Sequence, residues 1–351
     1  MRVLLAEYAT GGGLPGGPLE AGLLAEGLAM LTALLADFAR SEGYELLSLV
    51  DCRTDRDSAR RLRSAAPGAR IEAIEPGQLR EELAERILWA DAALVVAPET
   101  AGVLADLTAV IERAGKLNLG SSAAAAALAG DKLLTFQRLA DAKLPVPPCL
   151  ELAPGDPLPP PGWSLPVVVK PRDGCGAEGV RLVREAGRWE GEAGYVVQPH
   201  IRGKHASASL LVSRGRAVAL SLNAQHVRVS AGRYVYLGGR VPLAHPLAER
   251  ALAVACRAAE AIPGLGGYVG VDLVLSGGEA YVIEVNPRLT TAVVGLREVL
   301  PWNLADLLVG AARGELPAAP PALAGSVAFR KDGRLRVRRA PAGSPVGDVE
   351  P

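Results

Sequence analysis

The sequence predicts an α/β protein in which an N-terminal doubly wound domain is followed by a region of α+β character. In the first third, short apolar runs alternate with helical stretches, the pattern of a parallel sheet covered by helices on both faces. Beyond a proline-rich stretch at 144–161, strands and glycine-rich loops predominate. At about 150 residues per domain, the 351 residues correspond to roughly two to three domains.

The elements of the first third follow from the spacing of apolar residues. Apolar runs bounded by turn residues predict strands at 2–6, 44–50, 70–74 and 92–97. Apolar residues at helical spacing predict helices at 19–40, 78–89 and 102–114. Strand and helix therefore alternate as a doubly wound unit requires.

The second part of the chain begins after a predicted linker. An alanine run at 123–127 and a helix at 131–141 lead into 144–161, which holds too many prolines for a helix or a central strand. A strand, a glycine-rich loop and a strand are expected within 166–195, and an alanine-rich helix at 246–261. Asp332-Gly333 predicts a β-hairpin over 326–339, and its basic side chains favour a solvated face over a binding site.

Charge and cysteine content argue against several functional classes. Lys plus Arg and Asp plus Glu each number 38, so the net charge is zero and nucleic acid is not an expected partner. The first residues include Glu7 and lack the apolar segment of a signal peptide, so we expect a cytoplasmic protein with no membrane partner. The cysteines are scattered, which favours reduced thiols over disulfides or a zinc site. They are Cys52, Cys149, Cys175 and Cys256.

A glycine-rich loop follows the first predicted strand. It contains Thr10 and Gly11 to Gly13 and precedes a helix, and helix N-termini bind phosphate groups. Its spacing differs from G-x-G-x-x-G, and Asp51, the candidate for binding a ribose, lies about 40 residues on instead of about 20. We therefore favour a structural or substrate-lining loop over a dinucleotide site. The chain contains no Walker A sequence.

A second glycine-rich loop follows an apolar run that ends in Lys170. The loop contains Gly174, Gly176 and Gly179. Glycines let backbone N–H groups approach phosphate oxygens, and a lysine at the end of a strand adds a cation aimed at the same place. An ordinary hairpin loop with a surface lysine explains the same pattern, and this segment alone leaves both interpretations open.

The strongest signal is a pair of predicted strands around a Gly-Gly turn. Each strand has an alternating apolar set: Val271, Leu273 and Leu275 on the first, and Tyr281, Ile283 and Val285 on the second. Residues that pair across a hairpin have residue numbers with a constant sum. If both apolar sets are buried on one face, this sum must be even, and an even sum requires an odd number of loop residues, here three. The predicted loop is Gly277 to Glu279, with Ser276 opposite Ala280.

In that register Asp272 lies opposite Glu284, and Asn286 follows on the same face. Facing carboxylates repel each other, so two carboxylates and an amide oxygen together indicate a bound cation. Hard oxygen ligands with open positions suit Mg²⁺ bound jointly with substrate phosphates. A solvated sheet face with two acids is the alternative. The apolar opposite face, together with Arg288 just beyond the acids, favours the metal site.

Taken together, these motifs resemble the ATP-grasp superfamily. The likeness covers roughly residues 1–312 and rests on four motifs in order: Asp131-Lys132, Lys170 with its glycine loop, a hinge at 196–203, and Asp272 followed by 284–288. It implies a pre-ATP-grasp domain and two α+β lobes of an ATP-grasp fold. The implied boundaries are 1–115 for the first domain, 116–194 for the central lobe, 195–312 for the lobe with the metal site, and 313–351 for a tail with a hairpin.

The resemblance also implies ATP as a substrate, with Mg²⁺ or Mn²⁺ as the metal, and it assigns residues to both. Lys170 and Arg288 are the implied catalytic residues, with Arg288 facing the transferred phosphate. The implied nucleotide-binding residues are Lys132, Lys170, Gly174, Gly176, Gly179, Gln198, Pro199, His200 and Ile201. The implied metal ligands are Asp272, Glu284 and Asn286. Residues 196–205 contain no acid of the kind that often binds the ribose in this superfamily, and His205 or a later residue is the alternative.

A narrower likeness is to the tyramine–glutamate ligases of methanofuran biosynthesis and their methylofuran counterparts. It rests on the segments 7–13, 97–99, 286–291 and 295–296. It implies an ATP-dependent ligase that joins the γ-carboxylate of glutamate to the amine of tyramine or tyrosine through an acyl phosphate. The implied substrate-binding residues are Glu7, Thr10, Glu99, Arg288, Thr290 and Thr291.

Three other functions remain open at the level of sequence. They are another ATP-grasp ligase of amino acids or peptides, a non-catalytic nucleotide-binding module, and a dinucleotide oxidoreductase built on the first glycine-rich loop. The oxidoreductase leaves Asp272, Glu284 and Asn286 unexplained. Small-molecule carboxylate and amine substrates are the expected partners, and a homodimer is one assembly that we consider.

Overall fold

The computed structural model describes residues 1–17, 21–174, 176–331 and 335–340. The elements of its first third are β1 (Arg2–Glu7), α1 (Ala21–Arg40), β2 (Glu45–Asp51), α2 (Arg56–Ala65), β3 (Arg70–Ile74), α3 (Leu79–Arg86), β4 (Ala92–Val96), α4 (Val103–Arg113) and β5 (Leu117–Asn118). The strands form a parallel sheet in the order β3-β2-β1-β4-β5. This order confirms the predicted doubly wound α/β domain.

Both faces of this sheet are covered. On β1, Val3 and Leu5 belong to a core that includes α1, whereas Leu4 and Ala6 belong to a second core formed with α3 and α4. Strands buried on two sides appear in the sequence as continuous apolar runs, which is why these strands could be predicted within one or two residues.

The sequence analysis did not predict helix α2, because this helix has almost no apolar face. Only Ser58 and Leu62 are buried, and four of its residues are arginines. The side chain of Asp55 caps the helix by accepting hydrogen bonds from the backbone N–H groups of Asp57 and Ser58. The backbone N–H groups of the first turn have no carbonyl partner within the helix, and the cap provides their acceptor. Capping rather than burial therefore determines where α2 begins.

Helix α1 is unusually apolar. By length and composition alone, Gly22–Arg40 could cross a membrane, but half of that stretch is buried within the fold. Its residues Leu31, Leu34, Leu35 and Phe38 pack into the first core. Core helices of folded domains have the same composition. The expectation of a cytoplasmic protein without a membrane partner stays a prediction.

The second part of the chain is built mainly from antiparallel strands. Its helices are α5 (Ala123–Gly130), α6 (Lys132–Asp141), α7 (Ala248–Glu260), α8 (Val293–Leu296) and α9 (Leu304–Arg313). Its strands are β6 (Leu150–Leu152), β7 (Pro157–Leu158), β8 (Val167–Pro171), β9 (Arg181–Val183), β10 (Gly187–Arg188), β11 (Tyr195–Pro199), β12 (Lys204–Ser213), β13 (Arg216–Ser230), β14 (Arg233–Val241), β15 (Gly267–Ser276), β16 (Glu279–Asn286), β17 (Ser326–Lys331) and β18 (Leu335–Ala340).

One large sheet joins most of these strands, in the order β16-β15-β12-β13-β14-β9-β8-β11-β6. β17 pairs with both β14 and β18, so the C-terminal hairpin extends this sheet. The segment 144–161 is more than the predicted linker, because β6 pairs with β11 and β7 pairs with β10. The domain boundaries given above stay a prediction.

Parts of two predictions fall outside the described residues. The hairpin of β17 and β18 is present, but its predicted turn at Asp332-Gly333 is not among them. Cys175 is also outside them, whereas Cys52, Cys149 and Cys256 are free thiols.

The predicted loop between β15 and β16 is wrong by one residue. Gly277 and Gly278 alone form the turn, with φ of 58° and 82°, and Ser276 pairs with Glu279. Positive φ at both central residues is the geometry of a type I′ turn, which glycine adopts without steric cost. A two-residue turn therefore replaces the expected three-residue loop.

A β-bulge then restores the register that the metal site requires. Leu273 pairs with Val282 and Asp272 pairs with Glu284, so Ile283 is the extra residue. The two-residue turn places Tyr281 off the core face, and the bulge at Ile283 returns Val285 to it. The core set on β16 is consequently Ala280, Val282 and Val285, rather than the predicted Tyr281, Ile283 and Val285. The predicted opposition of Asp272 and Glu284 is confirmed.

A buried ion pair links α1 to the segment between α8 and α9. The side chain of Asp37 is fully buried, and both of its oxygens accept hydrogen bonds from Arg297 at 2.6 to 3.1 Å. Asn303 donates to the backbone carbonyl of Asp37 at 2.9 Å. The N-terminal domain and the C-terminal helices are therefore joined by buried charges as well as by apolar packing.

Replacing Asp37 by alanine is expected to destabilise the protein by about 3 kcal/mol, because the buried guanidinium of Arg297 loses the carboxylate that accepts three of its hydrogen bonds and keeps, among the described residues, only Glu298 as a charged partner. Urea unfolding measures this change. The control is Asp57→Ala, which removes an exposed partner of Arg60 and is expected to cost less than about 0.5 kcal/mol. Equal losses in the two variants would contradict a structural role for the buried pair.

Candidate active site

A cleft lies between the glycine loop after β8 and the sheet face formed by β12 to β16. The predicted site residues that line it are Lys132, Lys170, Gly174, Gly176, Gln198, Pro199, His200, Ile201, Asp272, Glu284, Asn286, Arg288, Thr290 and Thr291. The remaining predicted residues are described but lie outside its lining: Glu7, Thr10, Glu99 and Gly179. Residues that are distant in sequence are thus brought to one place.

Lys170 stands near the end of β8 and is almost fully buried. Its Nζ donates a hydrogen bond to the backbone carbonyl of Ile283 at 3.1 Å and lies 4.9 Å from the ring centroid of Phe136. Burial, together with the nearby charge of Lys132, lowers the pKa of Lys170 to about 8, although Glu284 opposes the shift. The bulge at Ile283 thus provides the carbonyl that holds this amine in place.

Lys132 opens helix α6, which Asp131 caps. Its Nζ lies 3.0 Å from Oε1 of Glu284 and donates a hydrogen bond to the carbonyl of Gly174. One lysine therefore contacts both the glycine loop and a proposed metal ligand. A cation at the start of a helix is unfavourable for the helix dipole, which makes the surrounding carboxylate and carbonyl important for keeping it there.

Asp272 and Glu284 face each other across β15 and β16, and Asn286 follows Glu284 on the same face. Nε2 of Gln225 donates to Oδ1 of Asp272 at 2.9 Å. Burial and the adjacent charge of Glu284 raise the pKa of Asp272 to about 7. Burial alone would raise the pKa of Glu284 as well, but Lys132 and Lys170 lower it. The two carboxyls therefore differ in acidity, with Glu284 holding the negative charge more firmly.

This donor set fits Mg²⁺ bound together with phosphate oxygens. Within the described part of the chain, no three His, Cys, Asp or Glu side chains are grouped to hold a metal by themselves. Two carboxylates and one amide oxygen leave several octahedral positions for water and phosphate, as magnesium prefers. Burial and the charge of Glu284 both raise the pKa of Asp272, and a cation bound between the two acids would oppose both effects.

The glycines of the second loop have different environments. Gly176 lines the cleft with φ of 68° and with open space where a Cβ would lie. Gly179 also has positive φ, of 70°, but a Cβ there would lie 2.7 Å from Pro171, outside the cleft lining. Gly176 is therefore placed to bring backbone close to a ligand, whereas Gly179 allows the loop to pack on β8.

The residues predicted to contact adenine lie at the end of β11. Gln198, His200 and the residues between and after them line the cleft. Among the described residues, Nε2 of Gln198 and Nδ1 of His200 are buried without a hydrogen-bond partner at standard geometry, although the thiol of Cys149 lies beside Gln198. Unpaired buried polar atoms are costly, so a bound purine with its own donors and acceptors would stabilise them. His205 and Tyr234 also line the cleft, with ring centroids 6.3 Å apart, and the ribose contact of His205 stays a prediction.

Arg288 forms an ion pair with a residue of the N-terminal domain. Its Nη2 lies 3.0 Å from Oε2 of Glu99, and both side chains are largely buried. Glu7 is also behind the cleft wall, where its carboxylate accepts hydrogen bonds from the backbone N–H and the hydroxyl of Thr10 at 2.8 and 2.7 Å. Glu99 therefore orients Arg288, and Glu7 holds the first glycine-rich loop. The predicted substrate contacts of Glu7, Thr10 and Glu99 have no support in this geometry.

The cleft residues that sequence reasoning missed include Glu26, Gln225 and Tyr236. The sequence could have indicated Glu26 as a site residue, because it is an acid within a long apolar stretch of α1. Gln225 lies on β13, where core residues such as Ala224 alternate with polar ones. Tyr236 has no such signal, because an aromatic residue on a strand is ordinary.

Comparison with known protein families gives two matches on this chain. Residues 129–292 match the ATP-grasp domain family described as ATP-grasp_3, and residues 45–126 match the pre ATP-grasp 3 domain. The first match contains the lysines, the glycine loop and the two acids predicted to bind the metal. The second lies within the parallel-sheet domain and its following helix.

Similar proteins agree with these matches. The chain is 30% identical over 328 residues to the tyramine–L-glutamate ligase of Methanocaldococcus fervens, covering 89% of this chain and 94% of that protein. It is 36% identical over 226 residues to the corresponding ligase of Methanocaldococcus jannaschii, covering 64% of each chain. Among solved structures, an ATP-grasp superfamily protein from Archaeoglobus fulgidus superposes with a TM-score of 0.70 at 26% identity, covering 94% of this chain and 92% of that one. The chain therefore belongs to the ATP-grasp superfamily, as an ATP-dependent carboxylate–amine ligase.

Proposed function

We propose that this ligase joins the γ-carboxylate of glutamate to the amine of tyramine or tyrosine through an acyl phosphate. The observation that carries the proposal is the single cleft in which Lys132 and Lys170 meet Asp272, Glu284 and Arg288. The substrate pair is suggested by the names of the two ligases from Methanocaldococcus. A role in a methanofuran-type pathway stays a prediction.

The nucleotide would lie along the cleft with its base at the end of β11. Gln198 and His200 have unpaired buried nitrogens for the base, and Gly176 lets the loop backbone approach the phosphates. Lys170 and Lys132 are cations held by a carbonyl and a carboxylate, so they need little reorganisation when phosphate arrives. Mg²⁺, when bound at Asp272, Glu284 and Asn286, would neutralise phosphate charge. Catalysis by positioning and charge neutralisation requires such groups to be fixed in advance.

Two chemical steps complete the proposed reaction. A carboxylate oxygen of glutamate attacks the γ-phosphorus of ATP, and the bond to the oxygen that bridges to the β-phosphorus breaks, which releases ADP. The amine nitrogen then attacks the acyl carbon, expels phosphate and loses a proton to give the amide. Arg288, anchored by Glu99, is placed to stabilise the negative charge that moves onto the transferred phosphoryl group. Neither step requires a nucleophile from the protein.

The proposal is tested by incubating the protein with Mg²⁺, ATP, glutamate and a panel of amines that includes tyramine and tyrosine. We expect ADP release only when both substrates are present, with a product whose mass equals glutamate plus amine minus water. Release of ADP without an amide product would overturn the substrate assignment, and absence of nucleotide binding would favour a different function altogether.

Replacing Lys170 by alanine is expected to lower kcat by about 100-fold or more, since it removes a preorganised cation from the transferred phosphate. Steady-state kinetics measures the loss. The control is Lys116→Ala, which removes a lysine that donates to the carbonyl of Leu88, outside the cleft. Wild-type turnover in the Lys170 variant would remove this residue from the phosphate site.

Replacing Glu284 by glutamine is expected to raise the Mg²⁺ concentration needed for half-maximal activity by about tenfold or more, because a neutral oxygen binds a hard cation less tightly. A magnesium titration at saturating ATP measures it, and circular dichroism checks that the fold persists. Glu279→Gln is the matched control on the same strand, since Glu279 pairs with Arg250 outside the cleft. An unchanged magnesium requirement would exclude Glu284 from the donor set.

A further inference from the structure

A chain of hydrogen-bonded side chains leads from the protein core to the cleft, and the proposed steps leave it unused. It begins at Asn223 of β13 and continues through Ser209 of β12. It then passes through Tyr268 of β15 and ends at Thr290, which lines the cleft. The successive links measure 2.9 Å (Nδ2 to Oγ), 2.7 Å (Oγ to the phenol oxygen) and 3.0 Å (phenol oxygen to Oγ1). The first three residues are at most 1% exposed, so Thr290 is the one of the four that can meet a ligand.

The direction of these hydrogen bonds follows from counting protons, beginning at Asn223. Its Oδ1 accepts from the hydroxyl of Ser221 at 2.6 Å, and its Nδ2 donates to Ser209 at 2.9 Å and to Ser207 at 3.3 Å. If the amide oxygen and nitrogen were exchanged, one amide hydrogen and the proton of Ser221 would have no acceptor among the described residues. Buried donors without acceptors are costly, so the amide of Asn223 donates to Ser209.

The same count fixes the protons of the three hydroxyls that follow. The hydroxyl of Ser209 accepts from Asn223, and its other partner in the described part of the chain is Tyr268, so Ser209 donates to the phenol. Because the phenol oxygen accepts from Ser209, the phenol proton is donated to Thr290. The hydroxyl of Thr290 has no second partner among the described residues, so its own proton is available to a ligand in the cleft.

Gly270 keeps Thr290 in the rotamer that this path requires. It lies on β15 two residues after Tyr268, and a Cβ at this position would lie 2.5 Å from Cγ2 of Thr290. The methyl group of Thr290 therefore occupies the space that the glycine leaves, while its hydroxyl is bonded to Tyr268. A β-branched side chain has few χ1 rotamers, and contacts at both branches fix one of them.

The ligand of this hydroxyl must itself carry an acceptor atom. Two charged side chains line the same cleft near Thr290 in sequence or through its neighbour: Arg288, which is paired with Glu99, and Glu26, to which Thr291 donates. Neither is bonded to the hydroxyl of Thr290 among the described residues. An ammonium group has no acceptor, whereas an anionic oxygen accepts a stronger hydrogen bond than a neutral one. In the proposed reaction such oxygens belong to the carboxylate substrate and to the transferred phosphoryl group.

We propose that Tyr268 is a positioning residue that fixes Thr290 as a hydrogen-bond donor to an anionic oxygen of the reactants, an inference that rests on the proposed function. Tyr268 is buried and is not part of the cleft lining, so it acts through Thr290. Its donated hydrogen bond holds the oxygen of Thr290 and leaves the proton of Thr290 directed at the cleft. A donor that is oriented in advance needs no reorganisation when it meets negative charge.

The test compares Thr290→Val, Tyr268→Phe and the double variant by calorimetry. One titration measures the binding of glutamate in the presence of Mg²⁺ and a non-hydrolysable ATP analogue, and two others measure the binding of the analogue and of ADP with Mg²⁺. We expect Thr290→Val to bind glutamate or the analogue about tenfold more weakly, because a hydrogen bond to a charged group is lost.

The double variant separates positioning from a merely structural role. Tyr268→Phe should weaken the same ligand about threefold or more, because the hydroxyl of Thr290 can then rotate and its donor is no longer fixed. The double variant should bind that ligand no more weakly than Thr290→Val, since Tyr268 has nothing to position once the hydroxyl is absent. A structural role of Tyr268 would instead give losses that add.

Three further variants complete the design. Tyr44→Phe also removes a phenol hydroxyl, one that contacts Asp306 at 3.2 Å outside the cleft, and should keep wild-type affinities. Thr290→Ser keeps the hydroxyl and should retain affinity that Thr290→Val loses. If Tyr268→Phe proves unstable in a thermal melt, Ser209→Ala removes the donor that directs the phenol proton, and it should weaken the same ligand without adding to Thr290→Val.

Each outcome has a definite meaning. A loss confined to glutamate assigns the anionic oxygen to the carboxylate substrate, and a loss for the analogue but not for ADP assigns it to the phosphoryl group. Unchanged affinity for both ligands in Thr290→Val, an equal loss for ADP, or additive losses in the double variant would overturn the inference. A loss that depends on Thr290 and Tyr268 in a protein that forms no amide would instead overturn the proposed function and leave the positioning role intact.

Discussion

The site depends on placing two carboxylates opposite each other inside a protein. Asp272 and Glu284 repel, and burial strengthens that repulsion, as the raised pKa of Asp272 shows. Lys132 and Lys170 compensate from the opposite side of the cleft and keep Glu284 ionised. If a metal ion and a triphosphate are bound, the acids would contact the metal cation and the lysines would contact the phosphate anion, in place of contacting each other. The acids and the lysines are therefore a set of charges that balance one another, and substrates would take over these contacts.

The backbone of one hairpin produces this arrangement. A two-residue glycine turn shortens the loop, and the bulge at Ile283 compensates by shifting the register before the acids are reached. The extra residue also provides the carbonyl to which Lys170 donates. A single irregularity thus sets the pairing of Asp272 with Glu284 and fixes the lysine beside them, which explains why a bulge occurs next to the site.

The N-terminal domain contributes to the site in two ways. Glu99 holds Arg288 from behind, and Glu26 enters the cleft from α1, while the buried pair of Asp37 and Arg297 fastens the same helix to the C-terminal segment. The shape of the cleft therefore depends on the interface between the N-terminal domain and the C-terminal segment. Glu99 and Glu7 each contact another residue of the folded chain, and the substrate contacts expected of them stay a prediction.

The sequence by itself determined the alternation of most strands and helices in the first domain and the lysine with its glycine loop, because each depends on local periodicity or on residue type. It also predicted Asp272 opposite Glu284, but this pairing results from a two-residue turn and a bulge instead of the expected three-residue loop. It missed α2, whose stability comes from a cap, and it assigned one residue too many to the Gly-Gly turn. Only the tertiary structure decided that Glu26, Gln225 and Tyr236 share a cleft with the acids and that Glu7 does not. Such contacts join residues separated by hundreds of positions, and no local pattern records them, since they arise from how helices and sheets pack.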